Sequence, residues 1–417
     1  MRMDTVVNWL FNYAFFYPLT MSLIWISGSL MYYLRWERGQ PARVDPPALA
    51  EYPFVSLLVP CHNESAQVRE TIHYLSAQRY PDFEIIAVND GSTDDTAEQL
   101  DALLVEVPRL RVIHLASNQG KAMGLRMAAM AARSEFLVCI DGDALLDDYA
   151  THWLMSHMVG GARVGAVTGN PRIRNRSTLL GKLQVGEFSS IIGMIKRAQR
   201  VYGRIFTVSG VIACFRKSAL HDVGYWSTDM VTEDIDISWR LQMRQWDIRY
   251  EPNALCWILM PETLRGLWKQ RLRWAQGGVE VILRHVPELF KWRQRRKWLV
   301  ALEYILSMVW AYVTLGIFIL WAVGKFVPMP AALYVPSILP QWYGVVLGTV
   351  CLIQFLISIM IDRRYEARIG RNYYWLIWYP LVYWLLSTLT TVVALPKALL
   401  KRRGTRAVWT SPDRGLR

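Results

Sequence analysis

The sequence predicts an α/β domain with a largely parallel sheet, inserted between transmembrane helices and followed by amphipathic helices lying in the membrane interface. Three observations carry this expectation. Long apolar stretches open and close the chain, short apolar runs alternate with helical patterns over residues 54–260, and a segment rich in Trp, Arg and Leu links the two regimes.

The apolar stretches are residues 6–34, 302–327, 343–361 and 373–396, each with at most isolated charges. Each is long enough for a hydrocarbon layer that needs roughly 20 apolar residues, and 53% hydrophobic content over 417 residues is too apolar for an ordinary soluble enzyme. Residues 1–38 read as a retained anchor and not a secretory signal, because the apolar run is too long and is followed by Arg35 and Arg38 instead of a small-residue cleavage site. A proline-bearing linker, residues 39–53, leads to the domain.

Within residues 54–260, FVSLLVP, FEIIAVND, RVIHLA and EFLVCIDGD read as buried strands, and residues 65–78, 94–106 and 120–133 carry helical spacing. Strand and helix in alternation imply a mostly parallel sheet covered on both faces. Residues 261–298, with TLRGLWKQRLRWAQGG, read as interfacial helices. Residues 299–400 form the C-terminal transmembrane region and 401–417 a basic tail. If residues 373–396 crossed fully, that tail would lie on the side opposite the domain, against the positive-inside rule; Pro380 could instead break the segment into an interfacial and a re-entrant piece.

With 47 basic and 34 acidic residues the net charge is +13. The basic residues gather at membrane edges: Arg293, Arg295, Arg296 and Lys297; Arg363, Arg364, Arg368 and Arg371; Lys397, Lys401, Arg402, Arg403 and Arg406. That distribution fits membrane lipids as partners and places the domain in the cytoplasm; it does not call for nucleic acid. Five cysteines without a CxxC pair support neither a disulfide framework nor a zinc site, and no HExxH occurs.

Ligands of parallel α/β sheets bind beyond the carboxyl ends of strands. Asp90 ends one predicted strand and Asp141-Gly142-Asp143 ends another. Two hard oxygen donors there suit a divalent metal bridging to phosphates, although alone such a triplet reads by default as a turn with solvated acids. Neither GxGxxG nor GxxxxGK is present, so phosphates are not held as in Rossmann or P-loop proteins. The stretch MVTEDIDISW concentrates Glu233, Asp234 and Asp236. Gln270, Arg273 and Trp274 share one helical face, suited to phosphate and to a sugar ring, or equally to anchoring in the interface.

In combination, VPCHNE, VNDGSTD, NQGKA, DGD, TED and QRLRW resemble the family-two glycosyltransferases of the GT-A fold, over essentially the whole domain. TED and QRLRW followed by membrane segments resemble the processive synthases within it. VTGNPRIRNRSTLLGK, SSIIGMIKR, TVSGVIACFRKSAL and WTSPDRG resemble the bacterial inner-membrane group that makes β-1,6-linked poly-N-acetylglucosamine for biofilm matrix. Those synthases can carry one more membrane segment before the domain, and a single one here leaves the N-terminus outside.

The resemblance implies UDP-N-acetylglucosamine as donor, a growing polysaccharide as acceptor, Mg²⁺ or Mn²⁺ as cofactor, export coupled to synthesis, and a small accessory inner-membrane protein. It implies Asp234 as general base. Asp90, with Glu64, would line the uridine site, Pro60 would contact the substrate, and Lys121 and Arg273 would meet the diphosphate. Asp143 would hold the metal, with Asp141 on metal or sugar nucleotide; Glu233, Gln270 and Trp274 would meet the acceptor, and Arg271 joins the substrate-binding set. Ser209 and Gly210 are expected near the acceptor, His62 lining the nucleotide loop, and Asp236 as a helix-start carboxylate. The rivals are a transferase adding one sugar to a lipid carrier, and a catalytically inactive transporter or scaffold.

Overall fold

In the computed structural model, residues 5–338, 341–402 and 404–407 are described. WTSPDRG and Arg403 lie outside them.

Among the described residues, eight strands form one sheet: β1 (Val55–Cys61), β2 (Phe83–Asp90), β3 (Leu110–Leu115), β4 (Phe136–Ile140), β5 (Leu145–Leu146), β6 (Val164–Ile173), β7 (Ile212–Arg216) and β8 (Asp247–Ile258). Their order is β3-β2-β1-β4-β7-β6-β8-β5. The half β3-β2-β1-β4 is parallel throughout, β6 and β8 also pair in parallel, and β7 and β5 run antiparallel to their neighbours. Each early strand is near-continuously apolar because both faces are covered. Val55, Leu57 and Val59 enter the core on one side, while Leu58, Ile86 and Val88 enter the core on the other.

The predicted helices appear as Val68–Ser76, Thr96–Glu106 and Lys121–Ala131. Each is shorter at its start than its apolar spacing suggests, because polar loop residues there make specific loop contacts: Glu64 N–H donates to Thr96 Oγ1 at 2.8 Å and Ser65 N–H to Asp94 Oδ2 at 3.1 Å. From β1 the chain builds outward to β2 and β3, then returns to place β4 on the other side of β1. The crevice above the carboxyl ends of β1, β2 and β4 lies at this reversal.

Among the described residues, four helical segments are long and apolar enough to cross a membrane: Val6–Glu37, Trp292–Val323, Trp342–Asp362 and Ile369–Leu400. The second begins within what reads from sequence as the interfacial region, since one unbroken helix runs over Arg295–Val323. The interfacial segment itself is chiefly a single 26-residue helix, Leu264–Leu289.

A buried charge network fastens the membrane helices to the domain. Arg197, fully buried, donates to Glu37 at 2.9 Å and to Asp362 at 3.0 Å, and Asp362 also accepts from Arg172 at 2.8 Å and from Ser189. Desolvating so many charges offsets much of their attraction, so such a network contributes to fixing relative position more than to net stability.

The last segment breaks at Pro380. A 3-10 stretch, Ile369–Trp378, gives way to the helix Tyr379–Leu400, with proline in its first turn. Near the start of that helix, Tyr383 lies 6.0 Å from the Arg271 guanidinium. Past its end, Lys401 Nζ donates to Asp229 O at 2.6 Å and to Glu280 at 2.9 Å, and Ala407 N–H donates to Thr228 O at 2.9 Å. The start of the helix therefore meets the interfacial helix Leu264–Leu289, and the chain past its end meets the α/β unit.

Candidate active site

Asp90 ends β2 fully buried. Its Oδ1 accepts from Gln119 N–H at 2.7 Å and its Oδ2 from Gly120 N–H at 2.8 Å. His62 Nδ1 lies 2.9 Å from Asp90 O, and its Nε2 lies 3.0 Å from Asn118 Nδ2. Pro60 and Glu64, both buried, belong to β1 and its following turn. The VPCHNE, VNDGSTD and NQGKA motifs thus form one stitched rim. Asp90, expected to face uridine, spends both oxygens on the loop that presents Lys121.

Lys121 opens the helix Lys121–Ala131 and reaches across the crevice. Its Nζ lies 2.5 Å from Asp141 Oδ1 and 3.3 Å from Glu233 Oε1, and donates to Gly210 O at 3.1 Å. Asp141 follows β4 directly, and Glu233 and Asp234 start the helix Glu233–Met243. One amine therefore joins the DGD and TED motifs, which are about ninety residues apart in the chain. A methyl group at Gly210 would sit 3.1 Å from Asp234 Oδ2. A side chain there would press on that oxygen and require it to yield by a few tenths of an ångström.

Burial pushes the Asp234 carboxyl up to about 6, and neighbouring Glu233 adds to the rise against the opposing pull of Lys121, the Ile235 N–H and Arg273. Burial also raises Asp141, reinforced by Asp143 and Glu233 and opposed by Lys121. Three carboxylates, Asp141, Glu233 and Asp234, thus surround a single lysine, with Asp143 acting on Asp141 and Arg273 on Asp234. This excess of negative charge fits a cation. Among the described residues no group of three or more His, Cys, Asp or Glu side chains is disposed to hold a metal. Asp141 and Asp143 match instead the Mg²⁺-type arrangement, in which one or two carboxylates act together with substrate phosphates and water.

The helix Leu264–Leu289 closes the site from the membrane side. It rests directly on the TED loop, since a methyl at Gly277 would lie 1.9 Å from Thr232 Oγ1. This contact sets the height of Arg273, whose exposed guanidinium acts on Asp234. Arg271 does not join it. At 8% exposure it pairs with Glu187 at 2.5 Å, donates to Gln270 Oε1 at 2.9 Å and lies 4.3 Å from the Trp274 ring. These contacts let Arg271 steady Gln270 and Trp274, and two residues along a helix turn its side chain roughly 200° from that of Arg273.

Sequence reasoning passed over Lys196. At 5% exposure, its Nζ donates to Ser209 Oγ at 2.7 Å and Thr168 Oγ1 at 3.2 Å, and Thr168 Oγ1 also accepts Ser209 N–H at 2.8 Å. Burial pushes the amine down to about 7, with Asp234 partly opposing. The Ser209–Gly210 turn behind Asp234 is thus held by Lys196 on one side and Lys121 on the other. A lone lysine in an apolar helix, as in SSIIGMIKR, gives no local signal of this. Asp236 is likewise more than a helix-start carboxylate: fully buried, it accepts from Ser227 and Arg240 at 2.7 Å each and lies 3.1 Å from His285 Nε2.

Residues 53–277 match the family described as glycosyltransferase like family 2. Across nearly its whole length the chain is similar to the poly-β-1,6-N-acetyl-D-glucosamine synthase of Staphylococcus epidermidis, 40% identical over 416 residues, covering 97% of this chain and 98% of that protein. The Staphylococcus aureus (strain COL) protein of the same name is 40% identical over 406 residues, with the same coverage. Among solved structures, a mannosyltransferase of Pyrobaculum calidifontis, in complex with GDP-Man and Mn²⁺, matches 94% of this chain and 99% of its own with a TM-score of 0.62 at 20% identity. That likeness is one of fold, and it matches the GT-A expectation. With its sheet, its motifs and its full-length relatives in agreement, the chain belongs to glycosyltransferase family 2.

Proposed function

We propose that this protein is a processive, inverting synthase that polymerises N-acetylglucosamine from UDP-N-acetylglucosamine into a β-1,6-linked chain. The observation that carries the chemistry is the convergence of Asp234, Lys121, Asp141 and Arg273 on one crevice. The donor and linkage rest on the full-length relatives, whose name specifies that polymer.

In the reaction, the acceptor's hydroxyl oxygen attacks the anomeric carbon as the bond to UDP breaks, with inversion of configuration. Asp234 takes the hydroxyl proton. A base whose proton affinity lies near the working pH transfers protons most effectively, which is what burial and Glu233 give this carboxylate. Lys121 and Arg273 meet the negative charge that develops on the departing diphosphate, an electrostatic stabilisation of the transition state. Asp143, with Asp141, would hold Mg²⁺ or Mn²⁺, which when bound neutralises diphosphate charge. Asp90 keeps the Lys121 loop in place beside the nucleotide pocket formed by Pro60, His62 and Glu64. Trp274 and Gln270, steadied by Arg271, form the acceptor wall next to Glu233.

We infer the placement from the membrane-length helices and the basic residues gathered at their edges. The domain faces the cytoplasm of a bacterium at the inner membrane, the polymer leaves along the membrane helices, and a small membrane protein completes the path. The final helix, Tyr379–Leu400, is read as lying on the domain side without crossing, since its start meets the interfacial helix and its end meets the domain. Its basic tail then satisfies the positive-inside rule.

The test incubates membranes carrying the full chain, with and without a co-expressed small partner, with radiolabelled UDP-N-acetylglucosamine and Mg²⁺. High-molecular-weight label destroyed by a β-1,6-specific hexosaminidase is the expected result, abolished by EDTA and reduced about 10²- to 10⁴-fold by Asp234→Asn. Label confined to a lipid extract would instead identify a single-addition transferase and remove the acceptor role of Trp274.

A further inference from the structure

The membrane helix Thr5–Tyr32 and the helix Arg295–Val323 are tied together in their middle portions, where Tyr13 OH donates to Leu306 O at 2.8 Å and Trp310 Nε1 to Ala14 O at 3.0 Å. Toward the domain they separate around a slot that Tyr17 OH still bridges, donating to Glu303 O at 3.2 Å. A cavity of about 530 Å³ opens between them, with the helix Ile195–Tyr202 as its third wall. Phe16, Met21, Ile24, Leu299, Leu302 and Leu306 make its sides apolar. The carboxylate in its wall is already engaged, because Glu303 accepts from Trp25 Nε1 at 3.0 Å and from Gln199 Nε2 at 3.2 Å.

At the domain end of the cavity stand Arg204 and Arg296. Arg296 is exposed and forms no ion pair among the described residues. Arg204 is buried and reaches a carboxylate only at 4.0 Å, on Asp247, which also pairs with Arg200 at 2.9 Å and Arg249 at 3.2 Å. Arg204, Arg200 and Arg249 thus share one carboxylate, and Arg204, which also donates to Trp246 O and Gln245 Oε1 at 3.2 Å each, is the one of them that lines the cavity. Burial lowers the Arg204 pKa against the pull of Asp247, and repulsion from Arg296 and Arg200 lowers it further. An anion placed between Arg204 and Arg296 would relieve that repulsion.

We infer that this cavity is a binding site for one anionic phospholipid, with an acyl chain between the two membrane helices and its phosphate between Arg296 and Arg204. The dimensions favour a lipid chain over a further helix. A helix about 10 Å across would fill 530 Å³ in roughly one turn, whereas a flexible acyl chain can follow an irregular apolar slot. Basic pockets between membrane helices on one surface are where anionic headgroups bind. The third wall also connects the site to the chemistry, since Ala198, Gln199 and Tyr202 face the cavity while Lys196 on the same helix holds Ser209 behind Asp234. A seated lipid braces that helix.

The test uses the full-length protein in nanodiscs of phosphatidylcholine, with or without one-fifth phosphatidylglycerol, and quantifies phospholipid co-purified in mild detergent by mass spectrometry. Wild-type protein is expected to retain about one phosphatidylglycerol per chain and to melt several degrees higher when that lipid is present. Arg296→Glu and the cavity-filling Thr20→Trp or Leu302→Trp should lose at least five-fold in retention together with the thermal gain, while stabilisation by UDP, which reports an intact fold, is unchanged. Asp234→Asn should bind the lipid normally, which separates this site from the proposed chemistry. Equal retention in Arg296→Glu, equal stabilisation by phosphatidylcholine alone, the same gain from inorganic phosphate, or recovery of a protein subunit from the cavity in place of lipid would each overturn the assignment.

Discussion

If Asp234 is the base in the environment described, replacing its neighbour Glu233 must move the pH dependence of the reaction in one direction. The carboxyl sits at about 6, raised first by burial and second by Glu233. The ionised form is the active one, so activity is present above about pH 6 and is lost as pH falls through that value. At pH 5 about one-eleventh of the wild-type enzyme holds an ionised base, and the rate should be close to a tenth of its plateau. Glu233→Gln removes the repulsion and leaves the burial, so the midpoint should fall yet stay above the ordinary carboxyl value of 3.8. If Asp234 becomes a tenfold stronger acid, the rate at pH 5, relative to the variant's own plateau, rises about five-fold to roughly one-half. The assay is initial UDP release by the full chain in nanodiscs at saturating donor and Mg²⁺, from pH 4.5 to 8. Normalising to each plateau matters because Glu233 also holds Lys121 at 3.3 Å, and the plateau itself should drop. A midpoint that stays in place or moves upward, or a wild-type limb near pH 4, would refute the assignment.

Three further outcomes follow from the packing. Burial works against an ionised Asp236, but His285, Arg240 and Ser227 outweigh it and hold this carboxyl well below the usual range; its stabilisation is therefore present above the unfolded value near 3.9 and lost as pH falls through the folded value. Asp236→Asn should cost about 3–5 kcal/mol at neutral pH, seen as a lower thermal midpoint that does not converge with wild type until well below pH 4. Gly277→Ala places a methyl 1.9 Å from Thr232 Oγ1 and must shift the TED loop against its helix; an active-site displacement of about 1 Å predicts a loss near 10²-fold in kcat, and a rate within two-fold of wild type would contradict the packing. Finally, Thr405→Cys should react with an impermeant maleimide from the same side of sealed vesicles as Ser92→Cys in the domain; labelling from opposite sides would show that the last helix crosses.

Much of the α/β half was legible because its signals are local. Short continuous apolar runs, helical spacing and strand-end aspartates depend only on neighbours in the chain, so β1 to β4 and the positions of Asp90 and Asp141 could be read directly. QRLRW was legible as a motif but not as a geometry. Its five residues divide between Arg273, which acts on Asp234, and the Arg271–Glu187 pair, whose partner is distant in sequence. Lys196 left no trace in the pattern, since its role depends on Ser209 and Thr168 arriving from two other elements.

By itself the sequence determined the fold class, the membrane-length helices and the motif set, because hydrophobic periodicity and strand-end chemistry are written in contiguous residues. Tertiary structure alone decided that Lys121 joins Asp141 to Glu233, that Gly210 and Gly277 leave room for Asp234 and Thr232, and that the last apolar helix returns its tail to the domain. Each of these is a contact between residues far apart in the chain, where burial and charge act through space and apolar length cannot tell a helix that crosses from one that lies alongside.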